Sequence, residues 1–257
     1  MALLELNNVS KLFGGLAAIS GLNMVINEGE IVGLIGPNGA GKTTTFDVIT
    51  GELRPNEGSV VFDGRRISGL KPNQVASLGI VRTFQSVTLF PGYSVLENTL
   101  VGLHLESDIG FVEAILNTRS NRRKELSLYN RATEVLDFIG LLEMLDELAE
   151  NLPQGLQRKL GIAIGLAARP KVFLLDEPLT GMNAQETSEM IETIRQIRDR
   201  SGTTIVVVEH NMKAVMSLCE RLVVINFGKK IAEGIPEEIQ TNKDVIEAYL
   251  GSAEDAA

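Results

Sequence analysis

"GEIVGLIGPNGAGKTTTFDVITG" (residues 29–51) changes character twice along its length. It opens with a short apolar run that does not alternate, the pattern of a strand buried on both faces. It closes with "TTFDVITG", which reads as a helix. Between them, "GPNGAGKT" (36–43) fits G-x-x-x-x-G-K-[ST] in the strand–loop–helix setting which that pattern requires. Glycines there let main-chain N–H groups close around a phosphate, and the helix N-terminus adds its positive dipole end. A Gly-rich turn is the bland alternative, but it does not require every position to match in this context. The candidate phosphate contacts are Gly36, Pro37, Asn38, Gly39, Ala40, Gly41, Lys42, Thr43 and Thr44. Lys42 is expected to bridge the β- and γ-phosphates of a nucleotide, and the Thr43 hydroxyl to ligate Mg²⁺.

Working outward, "KVFLLDE" (171–177), "TTIVVVEH" (203–210) and "RLVVINFG" (221–228) repeat the doubly buried strand pattern. Helical stretches separate them, the α/β signature of a mostly parallel sheet. "MALLELNNVSKLF" and "GSVVFDGRRI" (58–67) alternate better beside turn residues, which predicts an antiparallel β subdomain on one side. From about Val87 to Leu152 the strand signal vanishes. Leu128, Ala132, Val135, Leu136 and Ile139 there fall on one helix face, predicting a helical subdomain inserted into the core. The expected layout is one domain over 1–240 with the helical insert at about 87–157. A C-terminal helix and a short disordered tail fill 241–257.

Composition narrows the function classes. The 257 residues carry 24 basic and 33 acidic side chains, net −9, which argues against gripping nucleic acid by phosphate neutralisation. A single cysteine, Cys219, excludes an internal disulfide framework and reads as a small packed hydrophobe in a reducing compartment. No basic stretch followed by a long apolar run opens the chain, and no window approaches the ~18 apolar residues of a membrane span.

"VFLLDEP" ends a buried strand in two carboxylates, at the edge where open α/β sheets place their sites. Asp176 suits a Mg²⁺ shell, and Glu177 suits orienting or deprotonating an attacking water. The structural alternative makes the pair a cap for the helix "NAQETSEMIETIRQIRDR". His210 ends a neighbouring buried strand and is expected to contact a γ-phosphate. His104 has no such setting and reads as structural. Gln85, just after "GIVRTF", is a candidate for Mg²⁺ or the water, and Phe13 for stacking on adenine. "RSNRRKE" (119–125) reads as a solvated helix face.

In their order along the chain, these residues resemble the ATPase subunits of ABC transporters over nearly the whole length. The order is phosphate loop, Gln85, helical insert, a signature segment, "LLDEP", then a strand ending in His. The resemblance implies a head-to-tail ATPase dimer. Each ATP would lie between one subunit's phosphate loop and the other's signature segment. Membrane subunits would dock on the helical insert and the Gln85 region.

The signature position holds "LPQGLQRKL" where the family usually has L-S-G-G-Q. Leu152 and Gly155 match, while Pro153, Gln154 and Leu156 replace serine, glycine and glutamine. Proline suits the first turn of a helix but offers neither hydroxyl nor N–H. The main-chain N–H groups of Gln154, Gly155 and Leu156 are expected to remain for an anion, so Pro153, Gln154 and Gly155 mark a signature of reduced grip. Asn183 also departs from the family, which usually has Asp there.

"GIVRTFQSVTLFPGYSVLENTLVGLH", "VVVEHNMKAVM" and "NKDVIEAYLG" resemble most the subunits serving importers of branched-chain and other hydrophobic amino acids. That group implies a second, usually different ATPase subunit, two membrane permeases and an external binding protein. The ATPase would then sit peripherally on the cytoplasmic membrane face. Urea or amide importers and a lipopolysaccharide-export ATPase are similar. A soluble ABC ATPase acting on DNA or ribosomes would more often have a coiled coil or two cassettes. A nucleotide kinase would need lid arginines.

Overall fold

The computed structural model describes residues 1–83, 89–103 and 119–254, with the backbone alone for 119–122 and 251–254. Two sheets share the interior. Strands β1 (Ala2–Phe13), β2 (Leu16–Asn27), β4 (Glu57–Phe62) and β5 (Arg65–Arg66) form an antiparallel sheet in the order β2-β1-β4-β5. The second sheet contains β3 (Ile31–Ile35), β6 (Ile80–Arg82), β7 (Val172–Asp176), β8 (Thr204–Val208), β9 (Arg221–Asn226) and β10 (Lys229–Gly234). Its order is β10-β9-β3-β8-β7-β6, parallel from β9 to β6 and antiparallel only at the β9–β10 hairpin.

The second sheet explains the missing alternation. Val32, Leu34, Val206 and Val208 point into one core, shared with Phe46, Ile49 and the antiparallel sheet. Their neighbours Ile31, Ile35, Ile205 and Val207 point into another, under helices α6 (Ala184–Ser201) and α7 (Met212–Leu218). Every residue of β3, β7 and β8 is buried. The two polar residues in these strands stand at strand ends and are partnered, Asp176 accepting from Arg82 and Thr204 Oγ1 accepting the Gly29 N–H.

Helix α1 (Lys42–Thr50) follows the phosphate-loop motif and α2 (Pro72–Ser77) precedes β6. The insert contains α3 (Val95–Leu103) and α4 (Arg119–Ile139), packed with α5 (Gln154–Ala167). The face expected of α4 is the one buried. Ala132, Leu136 and Ile139 are at most 3% exposed, while Leu128 and Val135 are half-buried. Arg123, Lys124 and Glu125 lie on the solvated side. Gly102 lets α3 approach α5 closely, since a Cβ there would sit 2.1 Å from the Ile164 carbonyl oxygen. Helices α8 (Pro236–Thr241) and α9 (Lys243–Glu254) end the described chain. Helix α9 continues into residues 251–254, part of the tail expected to be disordered.

Candidate functional site

The motif "GPNGAGKT" leaves the buried end of β3 and turns back into α1. Gly36 must lack a side chain, because a Cβ would meet the Ile225 carbonyl oxygen at 2.0 Å. Gly41 takes the helix N-cap position at φ 103°, ψ 11°, with a Cβ position 2.4 Å from the Ala18 carbonyl oxygen. No side chain caps α1, so its first N–H groups keep the anion-binding character of a bare helix N-terminus. Lys42, 6% exposed, donates to the Gly36 and Pro37 carbonyl oxygens at 2.7 and 2.9 Å. Burial pulls its ammonium below the usual lysine value, and Glu177 and Asp176 partly offset that.

On the next strands, Glu177 and His210 close the site from the other side. Glu177 follows β7 and is held beside the end of β8 by its N–H, which donates to the Val208 carbonyl oxygen at 2.8 Å. Its φ of 49° is a left-handed backbone that a non-glycine residue adopts at a cost of about 1–3 kcal/mol. Its Oε1 lies 2.6 Å from His210 Nε2. The buried Glu209 carboxylate fixes this corner, accepting the Leu179 N–H at 2.6 Å and the His210 N–H at 3.1 Å. Burial raises Glu209 above its ordinary carboxylate value, while hydrogen bonds from Leu179, His210 and Asn211 pull it back down.

These groups border one cavity of about 370 Å³, in the range of small-ligand sites. It is lined by Asn38 to Thr44, Glu177, Val208 and His210, together with Leu16, Ala17, Ala18 and Phe227. Thr43 is exposed there. Gly36 and Pro37 serve instead as Lys42's acceptors.

Asp176 is 2% exposed and lies behind the cavity wall, where its Oδ2 accepts from Arg82 Nη2 at 2.7 Å. Arg82 also donates to Asp47 on α1 at 2.6 Å, tying the end of β6 to both. Burial opposes the Arg82 charge, but its two carboxylate partners outweigh that and hold its pKa above the ordinary arginine value. Sequence reading passed over Arg82, although a charged residue closing the apolar run "GIV" was a signal. It passed over Glu209 and Phe227 as well.

Other expectations fall elsewhere. Phe13 is half-exposed, with the Lys11 ammonium 5.3 Å from its ring centroid, and does not line the cavity. Pro153, Gln154 and Gly155 are likewise away from it. Pro153 precedes the first helical turn as the N-cap of α5. Its carbonyl accepts the Leu156 N–H at 2.9 Å, correcting the expectation that this N–H stays available; Gln154 and Gly155 remain as candidate donors. Asn183 caps α6, accepting N–H bonds from Gln185 and Glu186 at 2.9 and 3.0 Å, so the cap belongs to Asn183 rather than to the acid pair. Gln85 and His104 lie outside the described residues. Among the described residues no cluster of three or more His, Cys, Asp or Glu side chains could hold a metal. The donors present, one hydroxyl and separate carboxylates, suit Mg²⁺ only when phosphate oxygens complete its shell.

A bare helix N-terminus, a buried lysine and a carboxylate–histidine pair on one cavity define a phosphate-loop nucleotide site at the C-terminal edge of a parallel sheet. The ABC transporter family model matches residues 19–180, and a branched-chain amino acid ATP-binding cassette transporter model matches 229–255. The chain belongs to the ABC transporter ATP-binding family. It is 44% identical over 251 residues to the high-affinity branched-chain amino acid transport ATP-binding protein LivG of Escherichia coli, covering 98% of each chain. It is 41% identical, with the same coverage, to BraF of Pseudomonas aeruginosa, named for the same transport role. Among solved structures it is similar to an ATP-binding cassette of an ABC transporter in its ADP conformation. The TM-score is 0.85 at 29% identity, covering 98% of this chain and 99% of the other. A dimeric cassette in a post-hydrolysis state, bound to ADP and Pi, gives a TM-score of 0.76 at 25% identity, covering 91% and 98%. No described helix is long and apolar enough to cross a membrane.

Proposed function

We propose that this chain is the ATP-hydrolysing subunit of an ABC importer that drives uptake of branched-chain or other hydrophobic amino acids. The observation that carries the hydrolysis is the Glu177–His210 contact beside Lys42 on one cavity. Lys42 draws in the β- and γ-phosphates, and the N–H groups from Asn38 to Thr44 surround them. Glu177 accepts the proton of the attacking water. His210 holds Glu177 in place and reaches the γ-phosphate. Thr43, Asp176 and Gln85 are the residues that would hold Mg²⁺, which supplies charge neutralisation at the phosphates. Asp176, which does not line the cavity and is paired with Arg82, would reach that ion only through a water.

The 1–240 domain, with its insert at about 87–157, is read as the motor, and residues 241–257 as an appendage. That Pro153, Gln154 and Gly155 do not line the chain's own cavity supports a head-to-tail pairing in which they face a partner's nucleotide. The partners are a second ATPase subunit, two membrane permeases and, through them, an external binding protein. That assembly puts the chain on the cytoplasmic membrane face. The resemblance to LivG and BraF supports the cargo class. The test is reconstitution with the permeases in vesicles, measuring ATP hydrolysis and leucine uptake together. Uptake that persists without ATP, or hydrolysis that no amino acid and binding protein stimulate, would overturn this reading.

A further inference from the structure

A second cavity, of about 220 Å³, is lined by residues from α4, the end of α5 and the last turns of α6. None of them borders the nucleotide cavity. Val135, Phe138, Leu166 and Ile197 bring apolar side chains to it. Ile197 is 1% exposed and the other three are half-buried. Glu134, Arg169 and Arg200 line it too, and all three are exposed. Burial thus sorts the lining into an apolar floor and a charged mouth.

The charges at that mouth are not spent on one another. Among the described residues, the Glu134 and Arg169 side chains have no hydrogen-bond or ion-pair partner. The Arg200 guanidinium stands 5.0 Å from the Phe138 ring centroid, a cation–π contact that leaves its N–H donors for an anion. Arg169 follows the last turn of α5, where its N–H donates to the Leu166 carbonyl oxygen at 2.9 Å. Its φ of 47° is the left-handed form that helix ends usually give to glycine or asparagine. An arginine holds the position against that backbone preference, and its side chain lines the cavity.

Size and charge together define the occupant. The cavity is smaller than the ~300–1,000 Å³ that drug-sized ligands fill, so it takes a small molecule. Four apolar side chains suit an aliphatic body. Two arginines suit a carboxylate, which a guanidinium binds with paired N–H donors. Glu134 suits an ammonium group. A polyanion would meet Glu134 and an apolar floor, and a plain hydrocarbon would leave both arginines unanswered.

We propose that this cavity binds a small aliphatic α-amino acid. Its carboxylate would lie on Arg169 and Arg200, its ammonium on Glu134 and its side chain against Phe138 and Leu166. The cavity's own residues carry this, whether or not the chain energises amino-acid uptake. Helix α4 belongs to the helical insert and α6 to the core, so the bound molecule would tie the two together, as the Arg200–Phe138 contact already does.

Calorimetric titration of the purified full chain with leucine, glycine, isocaproate and isoamylamine tests it. Leucine has all the recognised groups; glycine lacks the body, isocaproate the ammonium and isoamylamine the carboxylate. Glycine and isoamylamine should each bind about tenfold or more weaker than leucine. Arg169→Asn should weaken leucine roughly 10- to 150-fold through the lost charged contact. Asparagine tolerates positive φ, so the Tm of that variant should not fall. Glu134→Gln, at an exposed helix position, should weaken leucine and leave isocaproate unchanged. No detectable leucine binding to the wild-type chain overturns the proposal. So does leucine binding that either variant leaves unchanged, which would put the molecule elsewhere on the chain. Glycine binding as tightly as leucine also overturns it, since the apolar floor would then play no part.

Discussion

His210 Nε2 stands 2.6 Å from Glu177 Oε1, bridging residues that follow two adjacent parallel strands. The contact joins a base candidate to a group that fixes its direction, and both line the cavity that holds Lys42. Glu177→Gln should therefore keep ATP affinity and abolish steady-state turnover in the assembled complex. The amide can still hydrogen-bond a water but cannot take its proton. His210→Ala should slow turnover as well, by freeing the carboxylate. Wild-type hydrolysis by Glu177→Gln would remove Glu177 from the role of base.

Lys42→Ala should weaken ATP binding strongly. The Lys42 ammonium donates to two neutral carbonyls of its own loop and is only partly offset by Glu177 and Asp176, so it adds positive charge at the cavity. A hydrogen bond to a charged group contributes about 1.5–3 kcal/mol, roughly 10- to 150-fold in affinity. Fluorescent-nucleotide titration reads it; unchanged affinity would take the phosphate loop out of the mechanism.

Arg82→Gln should destabilise the fold, because it removes the cation hydrogen-bonded to the nearly inaccessible Asp176 carboxylate. Breaking a buried pair costs about 3–5 kcal/mol, whereas an exposed pair costs at most about 1. The Arg82 side chain is only 7% exposed, which puts this pair in the first class. Urea denaturation at neutral pH measures the loss. A change below about 1 kcal/mol would show that Asp176 is solvated or repartnered.

How much of this was legible depends on whether the signal was local. The parallel strands were legible because burial on both faces removes alternation, as β3, β7 and β8 demonstrate. Lys42, Glu177 and His210 were legible because each sits at a fixed point, a loop motif or a strand end. Arg82, Glu209 and Phe227 were not, since each matters through a partner remote in sequence or through backbone conformation. Arg82 meets Asp47 and Asp176 only after β6 pairs with β7. Glu209 was hidden for the same reason, its Leu179 partner lying 30 residues away. Phe227 looked like the end of an apolar run until the hairpin placed it at positive φ. The acid pair as a helix cap was a sound local alternative, and Asn183 takes that role instead.

Cys219 should be silent in the native protein. It is 5% exposed, and burial, helped by Glu209 and Glu220, pushes its thiol up to about 12. At pH 7.5 almost no thiolate forms to react. A disulfide reagent should titrate no thiol in the folded chain and one per chain in guanidinium. Rapid labelling without denaturant would show that the α7–β9 junction opens.

The last prediction concerns "LPQGL". In a head-to-tail pair, this segment would serve the nucleotide on the partner, while the chain's own Lys42 and Glu177 would depend on the partner's signature. Pro153 caps α5 with neither an N–H nor a hydroxyl to offer, so the segment presents fewer donors than one with serine at that position. Each lost charge-assisted contact is worth about 1–3 kcal/mol, and half of two such losses is already roughly five- to 150-fold in closure. The isolated chain should therefore hydrolyse ATP slowly, and mixing it with a partner whose signature is intact should raise the rate. Pro153→Ser/Gln154→Gly/Leu156→Gln should raise it without a partner. Serine is a good N-cap, so the helix should survive the change. Steady-state phosphate release from the chain alone, the mixture and the triple variant decides the matter. Fast turnover by the wild-type chain alone, with no gain in the triple variant, would refute the weakened signature.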